Sequence, residues 1–162
     1  MQLLKHLLVS IVGVGLIAGA AQAGGTTGVL RAKKVHSGKH WNVFHSPDHK
    51  FQAVLVLGEG EATTMTVRSY PATKAPAVLS EVDVVGIIWD PAKPHRMIYA
   101  ESEIYGTGKI AVWSGGKETV LWKKGKAVKD LSWNRNTGRL TFSTLEMEGL
   151  PDKWIKHSIP FR

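Results

Sequence analysis

The chain has 162 residues and no cysteine, which excludes disulfides, a thiol nucleophile and lipid attachment through a thiol. The formal net charge of +8 favours an anionic lipid, glycan or acidic partner, or else reflects solvated lysine-rich loops. The length suits a single domain, and without disulfides its stability must come from packing.

The first 23 residues are predicted to be a signal peptide. Lys5 supplies a positive charge, the run from Leu7 to Ala20 is apolar, and Ala21-Gln22-Ala23 is typical of a cleavage site. The apolar run is shorter than the ~20 residues of a transmembrane helix, although an uncleaved N-terminal anchor is the alternative. We therefore expect a domain at residues 24–162, periplasmic or secreted, with no stable membrane insertion and no nucleic acid partner.

A repeat of 44 residues follows in the remaining chain. His45, Trp89 and Trp133 are spaced by 44 residues (89 − 45 and 133 − 89), each near the end of a short strand-like segment. Polar turn residues follow each of these segments. The turns contain Pro47-Asp48, Asp90-Pro91 and Asn136-Thr137-Gly138.

Further strands are predicted after each turn, because β-branched and aromatic residues are frequent there. Second strands are expected at Phe51 to Leu57, Met97 to Ala100 and Leu140 to Thr144. Third strands are expected at Met65 to Ser69, Ile110 to Trp113 and Trp154 to Ile159, and fourth strands at Ala77 to Ser80 and Thr119 to Trp122. Four short strands in about 44 residues are typical of one propeller blade. The predicted fold class is therefore all-β, a partial β-propeller of three four-stranded blades.

The third copy lacks a fourth strand of its own. A strand-like segment from Val29 to Val35 precedes the first copy, and Val35 lies 44 residues before Leu79 in a fourth strand. The offset predicts that this N-terminal strand supplies the missing strand of the last blade. The last sheet then has no unpaired edge.

The repeat resembles that of the TolB-type β-propeller family over about Val29 to Ile159. Ser46-Pro47-Asp48 matches the Ser-Pro-Asp turn of that family, and Trp89-Asp90-Pro91 and Trp133-Asn134-Arg135 are degenerate versions of it. The stretch from Ile110 to Gly116 is similar to a third strand with its Gly-Gly turn.

The resemblance implies six blades, whereas this chain supplies three. A ring of three blades would be too tight, since propellers have about four to eight. A homodimer of six blades, in which the Val29–Val35 strands are exchanged, is therefore the hypothesis. An open arc of three sheets capped by a partner and a truncated remnant of a longer propeller protein are the alternatives.

Four histidines lie close together in the sequence, and histidine is the commonest metal ligand. His36, His40 and His49 could meet through loops as metal ligands, whereas His45 occupies the packing position of Trp89. Their spacing matches no ligand motif. We therefore expect packing or solvated histidines and predict no cofactor.

Pairs of glutamates recur where the loop between second and third strands is expected. They are Glu59 with Glu61, Glu101 with Glu103, and Glu146 with Glu148. Their recurrence suggests an acidic face for a cation or a basic partner, or solvated loop tips, more than a pair of catalytic carboxylates. These six residues are the predicted binding face.

No catalytic constellation stands out in the sequence. We predict an exported, non-catalytic interaction module that uses a propeller loop face to bind a protein or peptide. A propeller-type hydrolase or lyase completed by dimerisation is the alternative, as is the truncated remnant.

Overall fold

The computed structural model of the chain describes residues 28–34, 41–57, 63–70, 77–80, 82–103, 106–146 and 153–162. These ranges contain thirteen β-strands and no helix, so no helix there could cross a membrane. The predicted signal peptide, residues 1–23, lies outside them. The all-β prediction is confirmed.

The strands are short, between two and eight residues, as the repeat predicts. The N-terminal pair is β1 (Val29–Arg31) and β2 (Lys33–Lys34). The first copy forms β3 (Trp41–His45), β4 (Phe51–Leu57), β5 (Thr63–Ser69) and β6 (Ala77–Ser80). The second forms β7 (Val84–Trp89), β8 (Arg96–Ser102), β9 (Gly108–Ser114) and β10 (Lys117–Lys124). The third forms β11 (Val128–Asn134), β12 (Arg139–Glu146) and β13 (Lys153–Pro160).

Each copy forms one antiparallel sheet. The first sheet has the order β3-β4-β5-β6 and the third has the order β1-β11-β12-β13. The second sheet has five strands, β2-β7-β8-β9-β10, because β2 adds to its edge. Gly115 and Gly116 form the hairpin turn between β9 and β10 at φ angles of 57° and 100°, which glycine adopts without steric cost.

The three sheets stack face to face with the second in the middle. One core cluster joins the first and second sheets and includes Leu55, Met65 and Tyr99. The other joins the second and third sheets and includes Ile98 and Phe142. Because the second sheet is covered on both faces, its three inner strands, β7, β8 and β9, are buried along nearly their whole length, as in other doubly covered sheets.

The two repeated tryptophans lie in the core, as the repeat predicts. Trp89 is 9% exposed and packs between the first two sheets, where its Nε1 donates a hydrogen bond to the Phe44 carbonyl oxygen at 3.2 Å. Trp133 is 5% exposed and packs between the second and third sheets. His45 holds the same position in the first sheet and is exposed, because none of the described residues forms a sheet in front of it.

The N-terminal strand joins the last sheet on the opposite edge from the one that the repeat predicts. The offset from Leu79 places it as a fourth strand, beyond β13. Instead β1 pairs with β11, and β2 pairs with β7 of the second sheet. In the chain between these two pairings, the main-chain nitrogen of Ala32 donates a hydrogen bond to the Leu131 main-chain oxygen at 2.9 Å. Residues 28–34, here called the bridging segment, therefore link two sheets along the edge formed by their first strands.

Packing explains why the bridging segment takes this edge. Leu30 and Ala32 pack against the core between the second and third sheets, which a strand beyond β13 could not reach. Gly86 makes room for the crossing, since a Cβ atom there would lie 2.8 Å from the Ala32 Cβ. The period of 44 residues reflects the number of residues in one sheet with its turns. It carries no information about this contact.

Candidate functional site

The structure describes one of the three predicted histidine ligands. His49 is exposed at a φ of 57°, and its ring centroid lies 5.4 Å from that of His45. His36 and His40 lie outside the described residues, and within those residues no group of three or more possible ligands could hold a metal ion. Partial burial lowers the pKa of His45, and the nearby charges of His49 and Lys33 lower it further.

The predicted acidic face is described at three of its six positions. Glu101 lies within β8 and is 6% exposed, so it is neither in a loop nor solvated as the sequence suggested. Glu146 ends β12 and forms an ion pair with Lys126. Glu103 is exposed, and its carboxylate accepts a hydrogen bond from the Thr107 main-chain nitrogen at 3.4 Å.

The other three glutamates, Glu59, Glu61 and Glu148, lie outside the described residues. The acidic face as a binding surface therefore stays a prediction.

Glu101 belongs to a charged group between the first two sheets. Lys109 Nζ lies 2.8 Å from a Glu101 oxygen and 3.1 Å from a Glu118 oxygen. Burial disfavours the Lys109 ammonium, but the hydrogen bonds and charges of the two glutamates outweigh burial and raise its pKa. The two glutamates thus share one lysine, so the three ionised side chains together keep one net negative charge.

Tyr99 is fully buried beside this group. Burial raises the pKa of its hydroxyl strongly, and the negative charges of Glu118 and Glu101 raise it further. The hydroxyl faces Glu118 without a hydrogen bond of ordinary geometry. A tyrosine with a raised pKa stays protonated at neutral pH, so Tyr99 does not supply an ionised nucleophile.

A cleft of about 480 Å³ opens where the turns of the second and third sheets meet. We call it the turn-end cleft. Its lining includes four cationic side chains, those of Lys93, Arg96, Arg135 and Arg162, and one carboxylate, that of Asp90. The rings of Trp133 and Phe161 supply apolar wall. Its volume lies within the range of roughly 300–1,000 Å³ that ligand sites occupy.

Turn chemistry holds the cleft in shape. Asp90 and Asn134 are 44 residues apart and follow the repeated tryptophans. Asp90 Oδ1 accepts from the Ala92 nitrogen at 2.9 Å, and Asn134 Oδ1 accepts from the Asn136 nitrogen at 3.0 Å. Both are Asx turns, which fix a loop through one local side chain. The two walls of the cleft are thus equivalent turns of adjacent copies.

Arg96 is the most fixed of the four cations. Its Nε donates to Asp90 Oδ2 at 2.8 Å, and another guanidinium nitrogen lies 2.5 Å from the same oxygen. Its guanidinium carbon lies 4.9 Å from the Phe161 ring centroid and 5.4 Å from that of Trp133. Arg96 Nη1 also donates to the Arg162 main-chain oxygen at 3.2 Å. Because Arg96 already pairs with Asp90, no acidic side chain of the described lining residues is left for the other three cations.

Those three cations are exposed. Arg135 lies over the Trp133 ring at 5.9 Å, which orients its guanidinium along the cleft wall. Lys93 and Arg162 approach from the second turn and from the residues after β13. Such an arrangement offers positive charge to an anionic group.

These four residues were not grouped by sequence reasoning. Lys93 and Arg96 are about 40 residues from Arg135, and Arg162 is further still, so no local charge run marks them. The repeat could have brought two of them together, since the turns after Trp89 and Trp133 are equivalent. Comparisons with protein-family models, with curated proteins and with solved structures found no match.

Proposed function

We propose that the protein is an exported, non-catalytic interaction module that binds an extended acidic segment of a partner protein in the turn-end cleft. The observation that carries this proposal is the convergence of three exposed cations on one cleft, among whose described lining residues the only acidic side chain, Asp90, is already paired with Arg96. The turn-end cleft lies at a propeller-type loop face, although at the end of the sheets opposite to the predicted glutamate loops.

The ligand chemistry follows from the cleft lining. Carboxylates of aspartate or glutamate can pair with the exposed side chains of Lys93, Arg135 and Arg162. The volume accommodates a few side chains and not a folded domain. The net charge of +8 adds long-range attraction, which raises the association rate of an acidic segment.

The test uses a fluorescent peptide that alternates glutamate with glycine, and measures binding by anisotropy. The double variant Lys93→Glu with Arg135→Glu should weaken binding about tenfold or more, equivalent to at least ~1.4 kcal/mol. Both side chains are exposed, so folding should be preserved, which circular dichroism would check.

The matched control is Lys117→Glu with Lys123→Glu, which changes the net charge equally on exposed positions of β10. Charges beyond the Debye length of about 8 Å are screened at physiological salt, so this control should reduce affinity much less. Equal losses in the two double variants would mean that only net charge matters, and no binding by the wild type would refute the proposal.

A hydrolase or lyase completed by dimerisation stays an alternative prediction. The nearest candidate chemistry among the described residues is the group of Glu101, Lys109 and Glu118, in which one ammonium pairs with both carboxylates and Glu101 is buried. We therefore favour the binding function.

A further inference from the structure

The first sheet presents an apolar face to solvent. Phe44, Ala53 and Leu55 point into the core with the second sheet, and the side chains that alternate with them along β3 and β4 point the other way. We call this the front face. Its apolar members include Trp41 (64% exposed), Val78 (58%), Val56 (47%) and Val43 (37%).

The strand register makes these residues neighbours on one surface. Trp41 pairs with Val56, Val43 with Val54, and Thr66 with both Val54 and Val78. Val54, at the centre of this surface, is only 6% exposed, and the exposed apolar side chains lie around it on β3, β4 and β6. An apolar surface of this kind marks an interaction site more often than isolated exposed residues do.

The other two copies bury the same position. Val43, Ile87 and Leu131 are spaced by 44 residues, and they are 37%, 1% and 4% exposed. Ile87 packs against the first sheet and Leu131 packs against the second. The corresponding faces of the second and third sheets are therefore each covered by the preceding sheet. The front face of the first sheet has no such cover among the described residues.

The opposite end of the stack is more polar, although the exposed Trp154 also lies there, with the Lys129 ammonium over its ring. On the outward face of the third sheet, here the back face, Ser132, Thr141 and Ser158 lie side by side across β11, β12 and β13, next to Ser143 and Lys156. Repeat arrays end in such polar faces because the last repeat has no neighbour to cover it. A head-to-tail ring of six sheets would place the apolar front face of one chain on this polar back face of another.

The front face carries little charge of its own. Arg68 is the charged residue among its described members, and the Arg68 Nε donates to Gln52 Oε1 at 3.1 Å. Its one histidine, His45, has a lowered pKa and is neutral at pH 7. Two front faces can therefore meet without an array of like charges at their centre.

We propose that the front faces of two copies of this chain pack against each other as a symmetric dimer. A two-fold axis pairs a surface patch with itself, so one apolar face is sufficient for a closed dimer. Sheets that pack face to face generally lie about 10 Å apart. The dimer contact is front to front, whereas the sheets within the chain pack front to back, and the dimer leaves the turn-end cleft open.

The size of the face sets the expected strength of the dimer. Four strands about 4.8 Å apart, with roughly five residues each at ~3.4 Å, give a face of about 19 Å by 17 Å. This footprint is smaller than the ~800 Å² per partner of a standard interface. The dimer should therefore dissociate on dilution.

Sedimentation equilibrium tests the proposal. The protein is purified after the producing cell has carried out its own processing of the chain. The mass should rise from one chain in dilute solution to two in concentrated solution. Val78→Lys and Val56→Lys should each hold the protein at the mass of one chain, because a lysine would be buried against the partner.

Val120→Lys is the matched control. Val120 is also an exposed valine on a fourth strand, at the register position in the second sheet that Val78 has in the first. It should dimerise as the wild type does, which shows that an added lysine on a fourth strand is not itself disruptive. Lys156→Glu on the back face should dimerise equally well.

Three outcomes would overturn the proposal. A wild type of one mass at every concentration means that another segment or another partner covers the front face. Dimers in both Val56→Lys and Val78→Lys place the interface elsewhere. Loss of the dimer in Lys156→Glu indicates head-to-tail association.

Discussion

At the scale of single residues, Tyr99 shows how burial in the stack changes chemistry. Its hydroxyl is buried between two sheets beside two carboxylates, with no hydrogen bond of ordinary geometry. A buried hydroxyl of this kind destabilises the folded state, because it loses its hydration and gains no good hydrogen bond. The Tyr99 ring, which packs in the core between the first and second sheets, holds the hydroxyl in this place.

Replacing Tyr99 by Phe should change the free energy of unfolding by less than about 1 kcal/mol at pH 7, because no good hydrogen bond is lost. The larger effect should appear in alkali. The folded state raises the pKa of Tyr99, so above pH ~10 the unfolded chain loses this proton first and unfolding becomes easier as pH rises. The variant should lack this contribution, which is at most ~1.4 kcal/mol per pH unit.

Urea unfolding between pH 7 and about pH 11 measures the difference. Lys109, whose pKa is also raised, contributes stability that is lost at still higher pH in both proteins, so the variant keeps part of the alkaline decline. Tyr70→Phe, at an exposed position, is the control and should follow the wild type. Parallel curves for wild type and Tyr99→Phe would contradict the buried environment of Tyr99.

At the scale of strands, the sequence was most informative where a pattern is local. The spacing of His45, Trp89 and Trp133 predicted the sheets, because this side-chain position lies near the end of the first strand of each copy and faces the preceding sheet in the second and third copies. The edge taken by the bridging segment was not predictable, because it depends on Leu30 and Ala32 reaching a core formed about 100 residues later.

The candidate site was less predictable than the fold. Glu101 was expected in a solvated loop, and a longer β8 places it in a buried ion pair with Lys109. The turn-end cleft draws on residues from two turns and from the segment after β13. Their proximity depends on how sheets stack, which no spacing of charges in the sequence expresses.

Gly86 tests the crossing of the bridging segment. Gly86→Ala should destabilise the fold by about 1–3 kcal/mol, since its Cβ would overlap that of Ala32 and strain the strand. In an Ala32→Gly background the overlap is removed, and the same substitution should cost much less. Urea unfolding of the four proteins gives the coupling energy. Additive effects would mean that these two residues do not meet.

At the scale of the whole molecule, the three sheets form a stack with unlike ends. The polar back face ends the array, whereas the apolar front face leaves it open, and the bridging segment ties the second and third sheets together. The three sheets support a partial propeller-type arrangement, with closure into six blades remaining a hypothesis. A dimer through front faces and a dimer by exchange of the N-terminal strand differ in where that strand pairs.

The pairing of the bridging segment can be measured directly, because the chain has no cysteine of its own. Arg31 and Ser132 are paired next to the hydrogen bond between Ala32 and Leu131. They therefore form a non-hydrogen-bonded pair, whose Cα atoms lie about 4.5 Å apart, within disulfide range. Ser158 is two strands beyond Ser132, so an Arg31–Ser158 pair is the control that cannot be bridged.

The decisive measurement is non-reducing electrophoresis of the oxidised Arg31→Cys, Ser132→Cys variant. An intramolecular disulfide, seen as a reductant-sensitive shift of a band with the mass of one chain, is the predicted result. A covalent dimer, or cross-linking only in the Arg31→Cys, Ser158→Cys control, would contradict the placement of the N-terminal strand within its own chain beside β11.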